Sequence, residues 1–136
     1  MYPESLVKPM KAELTGAGFE DLTTADSVDK AIKQDGTVLV VVNSVCGCAA
    51  GAARPGVKLS LDNAKKPAKL TTVFAGFDME SVAQARKYFS PYPPSSPAIA
   101  LFKNGELVHF VERHNIEGRN AQMISDHLKM VYDEFC

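Results

Sequence analysis

The sequence has few cysteines, no block of like charge and no long apolar run, and each shortage argues against a class of protein. Three cysteines in 136 residues do not make a disulfide framework, because the odd count leaves one unpaired and two of the three are too close to close a useful loop. A formal net charge of −1 without charge runs argues against a nucleic-acid footprint and against a polybasic membrane surface. The longest apolar stretch is only strand length, and Met1-Tyr2-Pro3-Glu4-Ser5 lacks the basic start and apolar core of a secretory signal. These features lead to the expectation of a cytoplasmic protein whose partners are small molecules or proteins, with no nucleic acid and no membrane. No internal repeat or domain boundary is visible, so residues 1–136 are expected to form a single domain with a real core.

The strongest signal lies where Thr37-Val38-Leu39-Val40-Val41-Val42, a β-branched run that reads as a buried strand, meets Cys46-Gly47-Cys48. Ala49-Ala50-Gly51-Ala52-Ala53 then reads as the first turns of a helix. Both cysteines would sit at a helix N-terminus, where free backbone N–H groups and the positive dipole end stabilise a thiolate. In a reducing cytosol such a pair is more often catalytic or metal-binding than structural. The ordinary alternative, two small core residues at a strand end, stays open. Zinc or iron–sulfur ligation would need more thiolates or histidines, and His109, His114 and His127 have no zinc-finger spacing relative to the cysteines.

Around this junction the pattern predicts an N-terminal helix over Glu4 to Leu14, broken or kinked at Pro9, and a short edge strand at Phe19-Glu20-Asp21-Leu22. A helix capped by Thr24 or Asp26 precedes the apolar strand. The helix after the cysteines is expected to run to about Ala64, with an irregularity at Arg54-Pro55-Gly56. A strand over Leu70 to Ala75, a helix around Val82 to Phe89 and a proline-rich loop from Ser90 to Pro97 follow. Ala98 to Phe102, Lys103-Asn104-Gly105 and Glu106 to Val111 form a strong hairpin signal, because Asn-Gly supplies the positive φ angles of a tight primed turn. A last amphipathic helix starts near Asn120. Crossover helices require parallel pairing of the early strands and the hairpin adds an antiparallel edge, so the fold class is α/β with a mixed sheet flanked by helices.

This order, with an extra N-terminal helix, the cysteine pair after the second strand and Ser96-Pro97 entering the hairpin, resembles the thioredoxin-like fold. The resemblance implies a cis Pro97 packed beside the reactive thiols, where a residue without an N–H leaves the preceding backbone free to pair with a substrate strand. Glu13-Leu14-Thr15-Gly16-Ala17-Gly18-Phe19, Asn43-Ser44-Val45-Cys46-Gly47-Cys48-Ala49-Ala50-Gly51, Ala53-Arg54-Pro55, Pro94-Ser95-Ser96-Pro97 and Arg113-His114-Asn115-Ile116-Glu117-Gly118 go further. Together with the terminal Cys136 they resemble the bacilliredoxin family over nearly the whole chain. The resemblance implies a thiol–disulfide oxidoreductase that removes bacillithiol from mixed disulfides on client proteins, with a disulfide isomerase activity also attributed to the family. It makes Cys46 the thiol that accepts bacillithiol, as a transient adduct with no tightly bound cofactor, and Cys48 its neighbour in the motif. A client protein, a low-molecular-weight thiol and an unidentified reductase are the implied partners.

With one residue between the cysteines instead of two, an internal disulfide would close a small, strained ring. This favours a monothiol route, in which a second thiol regenerates Cys46, over resolution by Cys48. Arg54 is read either as steadying an anionic thiolate or the carboxylates of bacillithiol, or as a solvated helix side chain. Arg113-His114 is assigned to a structural turn in preference to substrate binding, because the hairpin's far end need not face the cysteines. His109 reads as a strand histidine and His127 as a helix surface residue, and Cys136 is read as a bystander thiol at a frayed terminus in preference to a thiol that resolves Cys46.

Overall fold

Strand β2 (Thr37–Asn43) is buried at every one of its positions, as a run of β-branched side chains on a central strand requires. The computed structural model describes residues 1–136 and builds the rest of the fold around this strand. Helix α1 (Glu4–Thr15), strand β1 (Glu20–Asp21) and helix α2 (Ala25–Lys33) precede it. A π-helical turn (Ala49–Ala53) continued by α3 (Arg54–Ser60), then β3 (Lys69–Phe74), α4 (Met79–Lys87), β4 (Ala98–Lys103), β5 (Glu106–Val111), a 3-10 turn (Arg113–Asn115) and α5 (Ala121–Phe135) follow.

The five strands form one mixed sheet in the order β1-β3-β2-β4-β5. β3 pairs in parallel with β1 and with β2, while β4 runs antiparallel to both β2 and β5. The period-two alternation of β2 divides the core. Val38, Val40 and Val42 pack with Val28 and Ile32 of α2 and with Val82 and Ala85 of α4. Leu39 and Val41 pack on the opposite face with Leu14 of α1, Val57 of α3, and Ile124, Leu128 and Tyr132 of α5. The hairpin turn is as expected, with φ of 52° at Asn104 and 82° at Gly105. Thr24 caps α2 by accepting the Ser27 N–H at 3.1 Å.

Two expectations about helices are corrected. α1 runs unbroken through Pro9. The carbonyl that Pro9 leaves without a donor belongs to Ser5, which is exposed near the helix start and open to water. The irregularity expected at Arg54-Pro55-Gly56 falls one turn earlier. Pro55 has no N–H for the Gly51 carbonyl and its ring crowds that oxygen, and the chain widens ahead of it into the π turn, where the Arg54 N–H bonds the Ala49 carbonyl. The helix also ends at Ser60 and not near Ala64.

Gly56 lets α3 approach α5. A Cβ at this position would stand 2.6 Å from Ile124 Cβ and 3.0 Å from the Ala121 carbonyl oxygen, with no flexible end to yield. Gly56→Ala is therefore expected to destabilise the protein by about 1–3 kcal/mol, the usual cost of overpacking. Urea denaturation checks this as a lowered midpoint with an unchanged slope.

Candidate thiol site

Strand β2 ends at Asn43, and the next three residues turn the chain into a helical path that begins at Gly47. The Cys46 carbonyl accepts the Ala49 and Ala50 N–H groups at 2.9 and 3.2 Å, so Cys46 stands at the mouth of the helix. Its own N–H donates to Ser44 Oγ at 3.0 Å, and the Ser44 N–H donates to Asn43 Oδ1 at 2.8 Å.

Arg54 holds this turn from below. Its side chain is 2% exposed, and Nη1 donates to Asn43 Oδ1 at 3.0 Å and to the Ser44 carbonyl at 2.7 Å. Nε lies 3.2 Å from Glu13 Oε2 of α1, an ion-pair contact out of hydrogen-bond alignment. Asn43 Nδ2 donates to the Met10 carbonyl at 3.2 Å, which makes a second tie to the same helix. Neither sequence reading of Arg54 survives: it is no solvated side chain, and its charge goes to the backbone of the turn and to Glu13, not to a thiolate. The extra helix α1 is the brace of the cysteine turn.

The two sulfurs of the free cysteines face one another at 2.7 Å, and the Cys48 N–H points at Cys46 Sγ from 3.4 Å. Their environments pull them apart. The Cys48 thiol and the Cys48 backbone N–H, both donating to Cys46 Sγ, hold the Cys46 thiol below the usual cysteine range, and the Arg113 charge adds to this. Burial pushes the Cys48 thiol up, and its proton shared with Cys46 together with the negative charge there pushes the same way. The two shifts run in opposite directions, so Cys46 is the first of the pair to ionise, and Cys48 then keeps its proton as a donor to it.

The ends of three strands meet here. Val42 of β2 pairs with Ala98 of β4, and Ile99 of β4 pairs with Val111 of β5, so Pro97 and Arg113 flank the cysteine end of the sheet. The Ser96–Pro97 peptide is cis. So is Ser90–Pro91, in the proline-rich loop, which no sequence signal marked. The Arg113 N–H donates to Ser95 Oγ at 3.3 Å, its Nη1 to the Ser96 carbonyl at 3.3 Å, and its Nε to Glu117. These contacts fit the structural turn expected of Arg113, but the reason given for that assignment fails, because the end of the hairpin does lie near the cysteines and the Arg113 charge acts on Cys46. β5 is antiparallel to β4 and β4 to β2, so β5 points the same way as β2 and delivers its last residues to the cysteine end. Only the second of these reversals, between β4 and β5, was readable from the hairpin signal; the first depends on the pairing of β4 with β2.

The remaining candidates lie elsewhere. His114 is exposed on the 3-10 turn and takes no part in this network. His109 and His127, read singly as a strand and a surface residue, are bonded to each other, Nε2 to Nε2 at 2.9 Å, and tie α5 to β5. Cys136 faces Thr37 at the start of β2, and burial pushes its thiol up. Cys46 lies beyond the other end of that seven-residue strand, about 20 Å away along the extended chain. The bystander reading of Cys136 therefore holds within one chain. No group of three or more His, Cys, Asp or Glu side chains is arranged to hold a metal ion, and no helix is long and apolar enough to cross a membrane.

A mixed sheet in this order, with a cysteine pair at the helix mouth after the central strand and a cis-proline at the neighbouring strand, defines a thioredoxin-fold protein. Solved structures agree on the fold. The chain superposes on the thioredoxin of Malassezia sympodialis with a TM-score of 0.57 at 14% identity, covering 87% of this chain and 90% of that one. Mitochondrial thioredoxin 3 of Saccharomyces cerevisiae, in its oxidised form, gives 0.61 at 16% identity, covering 90% and 98%. A family model described as disulphide isomerase matches residues 2–136. Proteins named bacilliredoxin are 67% identical over 134 residues in Cytophaga hutchinsonii, covering 98% of this chain and 99% of that one, and 46% identical over 136 residues in Staphylococcus aureus, covering 100% and 94%. The chain belongs to the bacilliredoxin family, a thioredoxin-like family of thiol-redox proteins.

Arg54→Ala tests the brace. It removes the donor from Asn43 Oδ1 and from the buried Ser44 carbonyl and leaves a cavity, at a cost of about 2–4 kcal/mol. Glu13→Gln, which keeps the shape and loses only a half-exposed partner, is expected to cost about 1 kcal/mol or less. Chemical denaturation of the two variants should separate these magnitudes.

Proposed function

We propose that the protein is a thiol–disulfide oxidoreductase that removes bacillithiol from mixed disulfides on client cysteines. The observation that supports this reading is the asymmetry of the cysteine pair, in contact at 2.7 Å, with the Cys46 thiol at the helix mouth held below the usual cysteine range and the Cys48 thiol pushed above it. The Cys46 thiolate attacks the bacillithiol sulfur of the mixed disulfide. A Cys46–bacillithiol disulfide forms as the client sulfur leaves as a thiolate and takes a proton from water. Only the attacking thiol needs to be ionised for this step, and of the two Cys46 is the one whose ionisation its surroundings favour. Pro97 is assigned a steric role: without an N–H it leaves the backbone beside the thiols free to receive an extended client segment.

Cys48 serves the first step as a hydrogen-bond donor to Cys46. A second low-molecular-weight thiol then attacks the adduct and returns Cys46 to its thiolate, and an unidentified reductase restores that thiol. The strain of a ring with a single intervening residue supports this monothiol route over an internal disulfide. The bacillithiol is a co-substrate held as a transient adduct, and a reducing cytoplasm is the compartment in which the cycle runs. The family model's description favours a second reading, in which the same thiolate attacks a protein disulfide and reshuffles it.

Incubation of the reduced protein with a bacillithiolated client, followed by mass spectrometry, is expected to place one bacillithiol adduct on Cys46 and to release the client thiol. Cys46→Ala should abolish transfer, and Cys48→Ser should still release the client at a reduced rate. No adduct on the unaltered protein sinks the proposal, and a Cys48→Ser variant that traps the client overturns the monothiol preference. Recovery of a scrambled disulfide-bonded substrate without adduct transfer would favour the isomerase reading.

A further inference from the structure

A mixed disulfide offers two sulfurs, and a thiolate that attacks the wrong one does different chemistry. Attack on the small thiol's sulfur frees the client and leaves the small thiol on Cys46. Attack on the client's sulfur expels the small thiol as a thiolate and leaves the client bonded to Cys46. Both steps balance as one S–S bond formed and one broken. A single cysteine pair on an open surface does not distinguish them, so the selection must come from a neighbour that recognises the rest of the small thiol.

One cation stands in the right place. Arg113 follows the end of β5 where the register brings it to the level of Pro97 and the end of β2. Its side chain is 45% exposed, so it is open to a ligand, and it is held at one side by the Ser96 carbonyl and Glu117. A guanidinium has five N–H donors in a planar fork, and these two contacts leave donors free. Such a fork matches a carboxylate in two parallel bonds. Arg54, the other arginine near the cysteines, is enclosed and committed to Asn43, Ser44 and Glu13. Glu117, with an exposed side chain of its own, positions the guanidinium through Nε, and no bond is made by Nη2.

We propose that Arg113 binds the carboxylate of the small thiol in the mixed disulfide and thereby directs Cys46 to that thiol's sulfur. This inference rests on the de-thiolating function proposed above and adds to it the residue that recognises the carboxylate of the small thiol. It also sets the balance between the two activities of the site: with the anchor engaged, the protein removes small thiols, and without it, it forms disulfides to the client.

The test uses one single-cysteine client carrying three different adducts: glutathione, with two carboxylates; β-mercaptoethanol, which is neutral; and cysteamine, which is cationic. Each is mixed with the full-length protein, quenched in acid and weighed intact, and the ratio of Cys46–small thiol to Cys46–client disulfide is read. The unaltered protein is expected to favour the small-thiol product at least tenfold more with glutathione than with β-mercaptoethanol or cysteamine. Arg113→Gln should bring the glutathione ratio down to that of the neutral thiol, and Arg113→Lys should retain part of it. A glutathione ratio unmoved by Arg113→Gln overturns the proposal. An equal fall for all three thiols also overturns it, because the selection Arg113 exerts would then not depend on a carboxylate in the small thiol. If the unaltered protein forms neither product with any adduct, the de-thiolating function fails and this inference with it, an outcome distinct from a ratio that ignores Arg113.

Discussion

A buried positive charge organises the site. Arg54 is among the largest fully enclosed side chains of the molecule, and the cost of taking a guanidinium out of water is met by the Asn43 side chain, the Ser44 carbonyl and the Glu13 carboxylate. These partners come from the end of β2, the turn that follows it and the N-terminal helix. Loss of the cation would uncouple all three. Because Asn43 Oδ1 also accepts the Ser44 N–H, and Ser44 Oγ accepts the Cys46 N–H, the chain of bonds runs without a break from Arg54 to the backbone of the reactive cysteine.

The asymmetry of the two thiols follows from where this turn leaves them. Cys46 is placed before the helix, with the Cys48 N–H and the Cys48 thiol directed at its sulfur, whereas Cys48 is one step inside and more deeply packed, against the apolar layer that holds Val57 and Ile124. Gly47 has open space where a Cβ would be, so nothing crowds the approach to the pair from that side. The cis-proline and Arg113 complete a face in which each of three adjacent strands contributes its end. The thioredoxin-like sheet order is what makes those ends coincide, and in the proposed reaction it is also what brings a client segment, a small thiol and a thiolate to one place.

Much of this was legible in the sequence. The β-branched run into Cys46-Gly47-Cys48, the Asn104-Gly105 turn and the crossover helices specify the mixed sheet and put the cysteines at a helix mouth, because strand periodicity and turn chemistry are local properties. Arg54 was not legible: its distance along the helix from Cys48 suggested a side chain near the thiols or in solvent, and only the π turn ahead of Pro55 and the packing of α1 determine that it is enclosed. The nearness of Arg113 to the cysteines was missed for a different reason, since its place depends on two successive strand reversals and not on any neighbour in sequence. The His109–His127 bond joins residues from two elements whose facing is set by the packing of α5 on the sheet, which no local pattern records.

The central claim is that the pair ionises in a fixed order, with the first negative charge on Cys46. Site-resolved alkylation with iodoacetamide over a pH series, read by peptide mass spectrometry, addresses it directly. The account predicts that Cys46 is modified first, with an apparent ionisation below that of an ordinary cysteine, and that Cys48 in the unmodified pair ionises above it. Simultaneous modification of the two thiols across the same pH range, or earlier modification of Cys48, would contradict it.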